Sequence, residues 1–570
     1  MHGINVSIIP ELENGSPLLT ADQALGGMRN LLPLSGSSVF GAGKSPPELR
    51  NLVRKLSARI SREPQPRRPA DEENRTIPSG YTYLLQFITH DLVNTSISLA
   101  ASSGRRFGFE NARLQPLTLD TIYGGGPDVS PQAYEFSALC SRSRGLMPRT
   151  RLRVGRARDR SGSTKAMPFA DIGRATPVDV NDDGIDDGAH PGRCLRSEAL
   201  VADARNEDQA LIAQITGLFH RMHNFILDQL EAGRPPVTAP DAYRNFICAR
   251  ILLTLIYRKI ILRDVLKRLL DPSVLRYYLI EQKSLLGEGN GIPVEFSHGA
   301  FRCGHAMVRN SYRVNSEVAL ETGRALQICS RRSPGFVPLP EEWIIKWDHF
   351  FEINGSQVVP NFSRRLRPNF SPIMRSEYFF APLNPRVGTN GDAAGLPNRD
   401  LVSGVYAGIW SVPRLIDALR TKSTEIASFL PAYGQYAPAL TDWLNATANP
   451  NGISEQFGPG DVSAIADDPP LPFFVLHEAF QCHGGERLGP LGSIIVAETF
   501  LAAMNDSRMR VAELKLDPFQ DIKDQAELLK RLGVTDEALS RIPDLFSFEE
   551  LLEFMRWEGL IETQSSIVPQ

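Results

Sequence analysis

From Tyr81 onward the chain settles into a pattern that suits helices. Leu84, Leu85, Phe87, Ile88 and Leu92 recur at spacings that fall on one helical face. Residues 198–232 predict a helix of unusual length, with Leu211, Ile212, Ile215, Leu218, Phe219, Met222, Phe225, Ile226 and Leu230 on its apolar side. Residues 240–282 predict one or two more, broken near Pro272, which has no amide N–H to continue a helix. Phe296 to Asn310 is a further helix candidate. Strand-like alternation is scarce. Residues 102–195, rich in Gly, Pro, Ser and Arg, predict irregular structure. Residues 1–75 carry Gly and Pro punctuation and a basic-then-acidic stretch, Arg62 to Arg75, and predict a loop-rich arm. The expectation is a mainly α-helical catalytic domain over 76–570, with long loops and little β structure, preceded by that arm.

Composition narrows the setting. Of 570 residues, 42% are hydrophobic and 22% charged, as in ordinary globular proteins. A chain of this length can enclose a cofactor. The net charge of -3 offers nothing to a nucleic acid or an anionic membrane, and no apolar run is long enough to span one. The six cysteines form no CxxC pair, which argues against a zinc or iron–sulfur site and against a disulfide framework. The first residues show no basic region followed by an apolar run. A reduced, cytoplasmic setting is expected. Oligomeric state is not legible.

Two of the ten histidines stand out by their company. Gln86 and His90 lie four apart on one helical face, among apolar neighbours. A neutral imidazole there can take and return a proton; a helix-capping or simply hydrogen-bonded His fits the same residues. His305 is flanked by Gly304 and Ala306, small enough to let a flat macrocycle approach; a packed, buried His fits as well. The run Asp179-Val180-Asn181-Asp182-Asp183-Gly184-Ile185-Asp186-Asp187 places oxygen ligands at Asp179, Asn181, Asp183 and Asp187 around a Gly, as a calcium loop needs. It lacks the closing Glu, so a solvated acidic turn is the alternative.

Seven segments, in order, resemble those of the animal-type haem peroxidases (the peroxidase–cyclooxygenase superfamily), especially bacterial members. Gln86-Phe87-Ile88-Thr89-His90-Asp91 resembles the distal motif, and Leu119-Asp120-Thr121-Ile122-Tyr123-Gly124 a following turn. Asp203-Ala204-Arg205-Asn206-Glu207-Asp208 resembles the segment carrying the distal Arg, and His220-Arg221-Met222-His223-Asn224 a structural Arg-x-His-Asn element. Ala300-Phe301-Arg302-Cys303-Gly304-His305 resembles the proximal motif. Asn398-Arg399-Asp400-Leu401 and Gly485-Glu486-Arg487-Leu488-Gly489-Pro490 resemble later signatures. The resemblance runs from about Gly80 to Asn505.

The resemblance implies haem b with His305 on the iron and His90 as the proton carrier. It implies that Arg205 stabilises charge on the departing oxygen, and that Gln86 holds a distal water or halide. Two departures bear on haem attachment. Thr89 stands where an ester-forming Asp is usual, and Asp208 where a Glu is, so non-covalent haem is expected. Asp400 falls where an Asn usually supports the proximal His; a carboxylate there would make the imidazole more basic. Asp91 corresponds to a calcium ligand, with Asp120 as a substitute partner, and is a candidate metal residue. The implied function is a peroxidase that uses hydrogen peroxide to oxidise a small electron donor such as a phenol. Alternatives on the same fold are a fatty-acid dioxygenase, whose radical-forming Tyr is replaced by Arg302, and a specialised biosynthetic oxidase.

Overall fold

The computed structural model describes residues 28–94 except 67, then 111, 113, 116–136, 148–158, 169–175, 178–179, 195–232, 235–282, 284, 291–330, 337–376, 395–446, 457–505, 510–511, 514–517 and 519–563. Helix α1 (Pro46–Ser61) starts at a capping box: the Ser45 hydroxyl accepts from Glu48 N–H, and the Glu48 carboxylate takes the Ser45 N–H. Its face of Val53, Leu56 and Ile60 is buried. A loop-rich arm over 1–75 therefore does not describe residues 46–61. Their polar positions are simply the solvated side of an amphipathic helix.

Strand β1 (Glu73–Pro78) leads into helix α2 (Gly80–Leu92), which is buried on almost every side. Gly80 is required at its start, because a Cβ there would fall 2.1 Å from the Phe351 ring and 2.7 Å from the Phe350 carbonyl oxygen. Strands β2 (Val154–Arg156) and β3 (Phe169–Ile172) pair antiparallel, as do β1 and β4 (Phe362–Arg364). Among the described residues every sheet has only two strands, so the fold is mainly α.

Helix α3 (Ala210–Glu231) forms the axis of the core, buried from Ala210 to Leu227. It starts later than residue 198, at Gln209, whose side chain accepts from Leu211 N–H. Several of its buried polar groups are satisfied by staples to the irregular region. Asn224 exchanges two hydrogen bonds with the Leu152 backbone, and His223 bonds the Tyr123 hydroxyl and the Thr150 carbonyl. Helix α4 (Ala239–Ile260) runs on through a π turn (Ile261–Val265) to Leu269. The break is where Pro272 predicts it: Asp271 caps helix α5 (Pro272–Glu281), with Pro272 at its first position.

The stretch Phe296 to Asn310 is not one helix. A short turn (Val294–Ser297) is followed at Gly299 by a 3-10 segment (Ala300–Met307). Two glycines in six residues weaken an α-helix, and a Cβ at Gly299 would meet the Glu295 carbonyl oxygen at 2.3 Å. Helices α6 (Leu396–Ala407), α7 (Leu471–His483) and α8 (Pro490–Asn505) pack around this segment. No described helix is long and apolar enough to cross a membrane.

Candidate active site

A cavity of about 580 Å³ opens between α2, the 205–209 segment and the 297–308 segment. That is within the range of small-molecule and cofactor sites. Gln86, Thr89, His90, Arg205, Asp208 and His305 all line it. Asp400 stands behind His305.

His90 is buried, and its Nδ1 lies 3.2 Å from Asn206 Oδ1. The neighbours settle which atom of Asn206 faces it. Asn206 Nδ2 donates to the Thr121 carbonyl at 3.0 Å, and its Oδ1 accepts from the Thr121 hydroxyl at 2.9 Å. Oδ1 is therefore an acceptor, His90 carries its proton on Nδ1, and the lone pair of Nε2 is free. Burial first, then the charge of Arg205, lowers the His90 pKa to about 3, so the ring is a neutral base at ordinary pH.

Arg205 is fixed by four hydrogen bonds. It donates to the Val93 carbonyl at 2.6 Å, the His90 carbonyl at 2.8 Å, and both oxygens of Asp203 at 3.1 and 2.7 Å. Arg113 also donates to the His90 carbonyl and pairs with Asp203. Against the upward push of burial, these two guanidiniums hold Asp203 at about 2. Two cations thus share one carboxylate, leaving a net positive field beside His90. Gln86 accepts from Gln209 Nε2 at 3.2 Å, which leaves its own NH2 as a donor.

On the other side, His305 sits in the 3-10 segment with its side chain a third exposed. Its Nδ1 is 2.8 and 3.0 Å from the two oxygens of Asp400, a buried residue of α6. The carboxylate fixes the proton on Nδ1 and leaves the lone pair of Nε2 free, where it could ligate a metal. A Cβ at Gly304 would meet nothing within 4 Å, so the floor beside His305 is open, whereas Ala306 is wholly in the core. One imidazole alone would hold a bare metal ion poorly. It suits an iron that brings four nitrogens of its own, as haem does. The residues present fit that group.

Thr89 lines the cavity with its hydroxyl bonded to the Leu85 carbonyl at 2.7 Å, and a hydroxyl cannot form the carboxylate ester. Asp91 does not face the cavity. Its oxygens accept Leu119 N–H at 2.9 Å and Thr121 N–H at 3.2 Å, and burial pushes its carboxyl up to about 6. Asp120 turns to Arg250 at 2.8 Å. Backbone donors and a guanidinium are thus contacts of the carboxylates considered for a calcium ion. Among the described residues no three His, Cys, Asp or Glu side chains gather into a metal-holding cluster. Asn181, Asp183 and Asp187 lie outside the described residues, and Asp179 is described only as backbone of a two-residue strand.

Asn206, Asp203 and Arg113 carry no assigned role in the sequence reading. Asn206 and Asp203 do sit inside the Arg205 segment, where the density of polar residues is the one signal in the sequence. His298, set aside as one of the ordinary histidines, also lines the cavity and bonds the Ser403 hydroxyl at 2.6 Å.

Residues 149–334 match the family model of the animal haem peroxidases. Over those residues the chain resembles an animal haem peroxidase domain. The matched stretch includes Arg205 and His305. No curated protein matches the sequence. Peroxidase A from Dictyostelium discoideum shares the fold at a TM-score of 0.51 and 12% identity, over 95% of this chain and 97% of that one. A fatty acid alpha-dioxygenase from Arabidopsis thaliana does so at 0.55 and 12%, over 96% and 79%. One from Oryza sativa does so at 0.53 and 12%, over 97% and 87%. This fold is thus shared with a peroxidase and with fatty acid alpha-dioxygenases.

Proposed function

We propose that this protein is a haem peroxidase that uses hydrogen peroxide to oxidise a small organic electron donor, with b-type haem held non-covalently on His305. The observation that carries the reading is the tautomer of His90. Asn206 leaves Nε2 as a free base in the same cavity as His305, beside the cationic pair Arg205–Arg113.

Haem, when bound, supplies the electrons that peroxide cleavage takes up and later recovers them from the donor. Everything else is done by the chain. Nε2 of His90 accepts the proton from one peroxide oxygen and delivers it to the other, which leaves as water. Arg205 offsets the negative charge building on that leaving oxygen, and its four fixed hydrogen bonds mean that little reorganisation is needed. The free NH2 of Gln86 orients the incoming peroxide or a water. Asp400 holds His305 in one tautomer.

A fatty-acid dioxygenase is the second reading, favoured by the two dioxygenase folds above. Against it stands Arg302, at the position where that chemistry places its tyrosine. Its Nε donates to the Ser297 carbonyl at 2.9 Å, and Nη1 lies 3.8 Å from Asp400. Haem-loaded protein should show a Soret band that changes on stoichiometric peroxide and should then oxidise a phenol. Oxygen uptake with a long-chain fatty acid, and no phenol oxidation, would replace this reading with the second.

A further inference from the structure

A second cavity, of about 530 Å³, shares no lining residue with the first. It lies between β2, β3, the flank of α3 and residues 559–562. Much of its wall is apolar, including Phe169, Phe225, Ile344, Ile345, Leu560 and Ile561. One cation sits deep in that wall. Arg221 is 8% exposed. Its Nε donates to the Gly217 carbonyl at 3.1 Å, and Nη1 to the Phe169 and Leu560 carbonyls, each at 2.8 Å. These bonds tie α3 to β3 and to the C-terminal stretch. They leave the Nη2 edge unused.

Among the described residues no charged neighbour acts on Arg221. Burial alone pulls it down, to about 10, so it remains a cation at neutral pH. A buried charge with only carbonyl partners is a costly arrangement, and buried arginines are ordinarily paired. The acids lining this cavity are elsewhere engaged: Asp228 with Arg151 and Glu562 with Lys346, both exposed pairs, while Glu135 lies in the field of Arg151. A dianion entering would meet this acidic rim and, among the described residues, only one free cation. A monoanion with an apolar body would meet a guanidinium edge built for a carboxylate and a wall that accepts the rest.

We propose that this second cavity binds a small organic carboxylate, its head on Arg221 and its apolar body against Phe225 and Ile561. The site stands apart from the haem chemistry and does not depend on it.

Isothermal calorimetry on the full chain, with octanoate as the probe and octanamide as its neutral isostere, tests this. Octanoate should bind one-to-one. Octanamide should bind at least about ten-fold more weakly, the scale of a lost charge-assisted hydrogen bond. Arg221→Gln should weaken octanoate by a similar factor. Val154→Trp, which adds bulk to the cavity wall from β2 and keeps the Arg221 guanidinium, should do the same, and it decides the matter if Arg221→Gln does not fold. Octanamide binding as tightly as octanoate, undiminished binding in Val154→Trp, or no saturable heat at millimolar octanoate would overturn the proposal. A Soret shift that saturates in step with the heat would place octanoate in the first cavity and overturn it too. If the chain binds no haem, the calorimetric arms still read the second cavity, so the two proposals fail separately.

Discussion

His90 and His305 serve the same cavity with the same side chain, yet they are prepared for different work. His90 rests its Nδ1 on a neutral amide, Asn206, and has a cation, Arg205, beside it. His305 rests its Nδ1 on a carboxylate, Asp400. The amide fixes a tautomer and adds no negative charge, so the ring stays neutral and Nε2 is a base awaiting a proton. The carboxylate fixes the same tautomer but pushes electron density into the ring, which would strengthen Nε2 as a ligand to the proposed haem iron. The role of each imidazole is set by the atom behind it.

The comparison breaks most completely at the ligand. His305→Ala should lose the Soret band and nearly all bound haem, with the fold intact by circular dichroism. Retained haem with an unchanged spectrum would remove His305 from the iron. His90→Ala should keep haem and slow peroxide cleavage by about 100- to 10,000-fold. Arg205→Ala should slow it by about 100- to 1,000-fold. Both serve one step, so the double variant should fall short of the product. Stopped-flow rates at confirmed haem occupancy decide it, and wild-type rates in either single variant would move the distal site elsewhere.

Making the proximal side resemble the distal one is gentler. Asp400→Asn should keep the tautomer and remove the charge, weakening haem retention or activity by about 10- to 100-fold. The iron–histidine stretching frequency of the ferrous protein should fall with it. An unmoved frequency would mean that Asp400 serves only packing.

Much of the site is legible from the chain because its residues sit in short local motifs. Gln86 and His90 share a helical turn, and Arg205 and Asp208 lie in one six-residue segment. What supports them is not local. Asn206 reaches His90 across 116 positions, and Arg113 reaches Asp203 across 90. No spacing rule carries such pairs. The helices divide in a similar way. α3 announces itself through nine apolar positions, while 300–307 reads as an α-helix because its apolar spacing survives where Gly299 and Gly304 have broken the backbone pattern. Residues 46–61 hide because their charged face dominates a composition reading, although their cap, Ser45-Pro46-Pro47-Glu48, was there to be read.

The smallest expected effect is also the sharpest test of the contrast. Asn206→Asp gives His90 the partner that His305 already has. In the parent, His90 is held near 3, so its base form persists as pH falls well below the ordinary 6.5, and the peroxide step should lose rate only on approaching pH 3. A carboxylate on Nδ1 favours the imidazolium and raises that value. The acid limb of the rate should therefore move to higher pH by a unit or more in the variant, with only a few-fold loss at pH 7. Stability should respond with the matching sign. A histidine depressed on folding contributes stability that is complete above its unfolded value and is lost as pH falls towards its folded one, so restoring the pKa should shrink that acid loss. His220, His223, His298 and His477 are depressed to about 3 or 4 by burial as well, and they will unfold parent and variant alike in acid. The rate must therefore be read by jumping from neutral to acid pH within the mixing time. If the acid limb stays where the parent has it, Asn206 is not what keeps His90 neutral, and the two imidazoles differ for some reason other than the atom behind them.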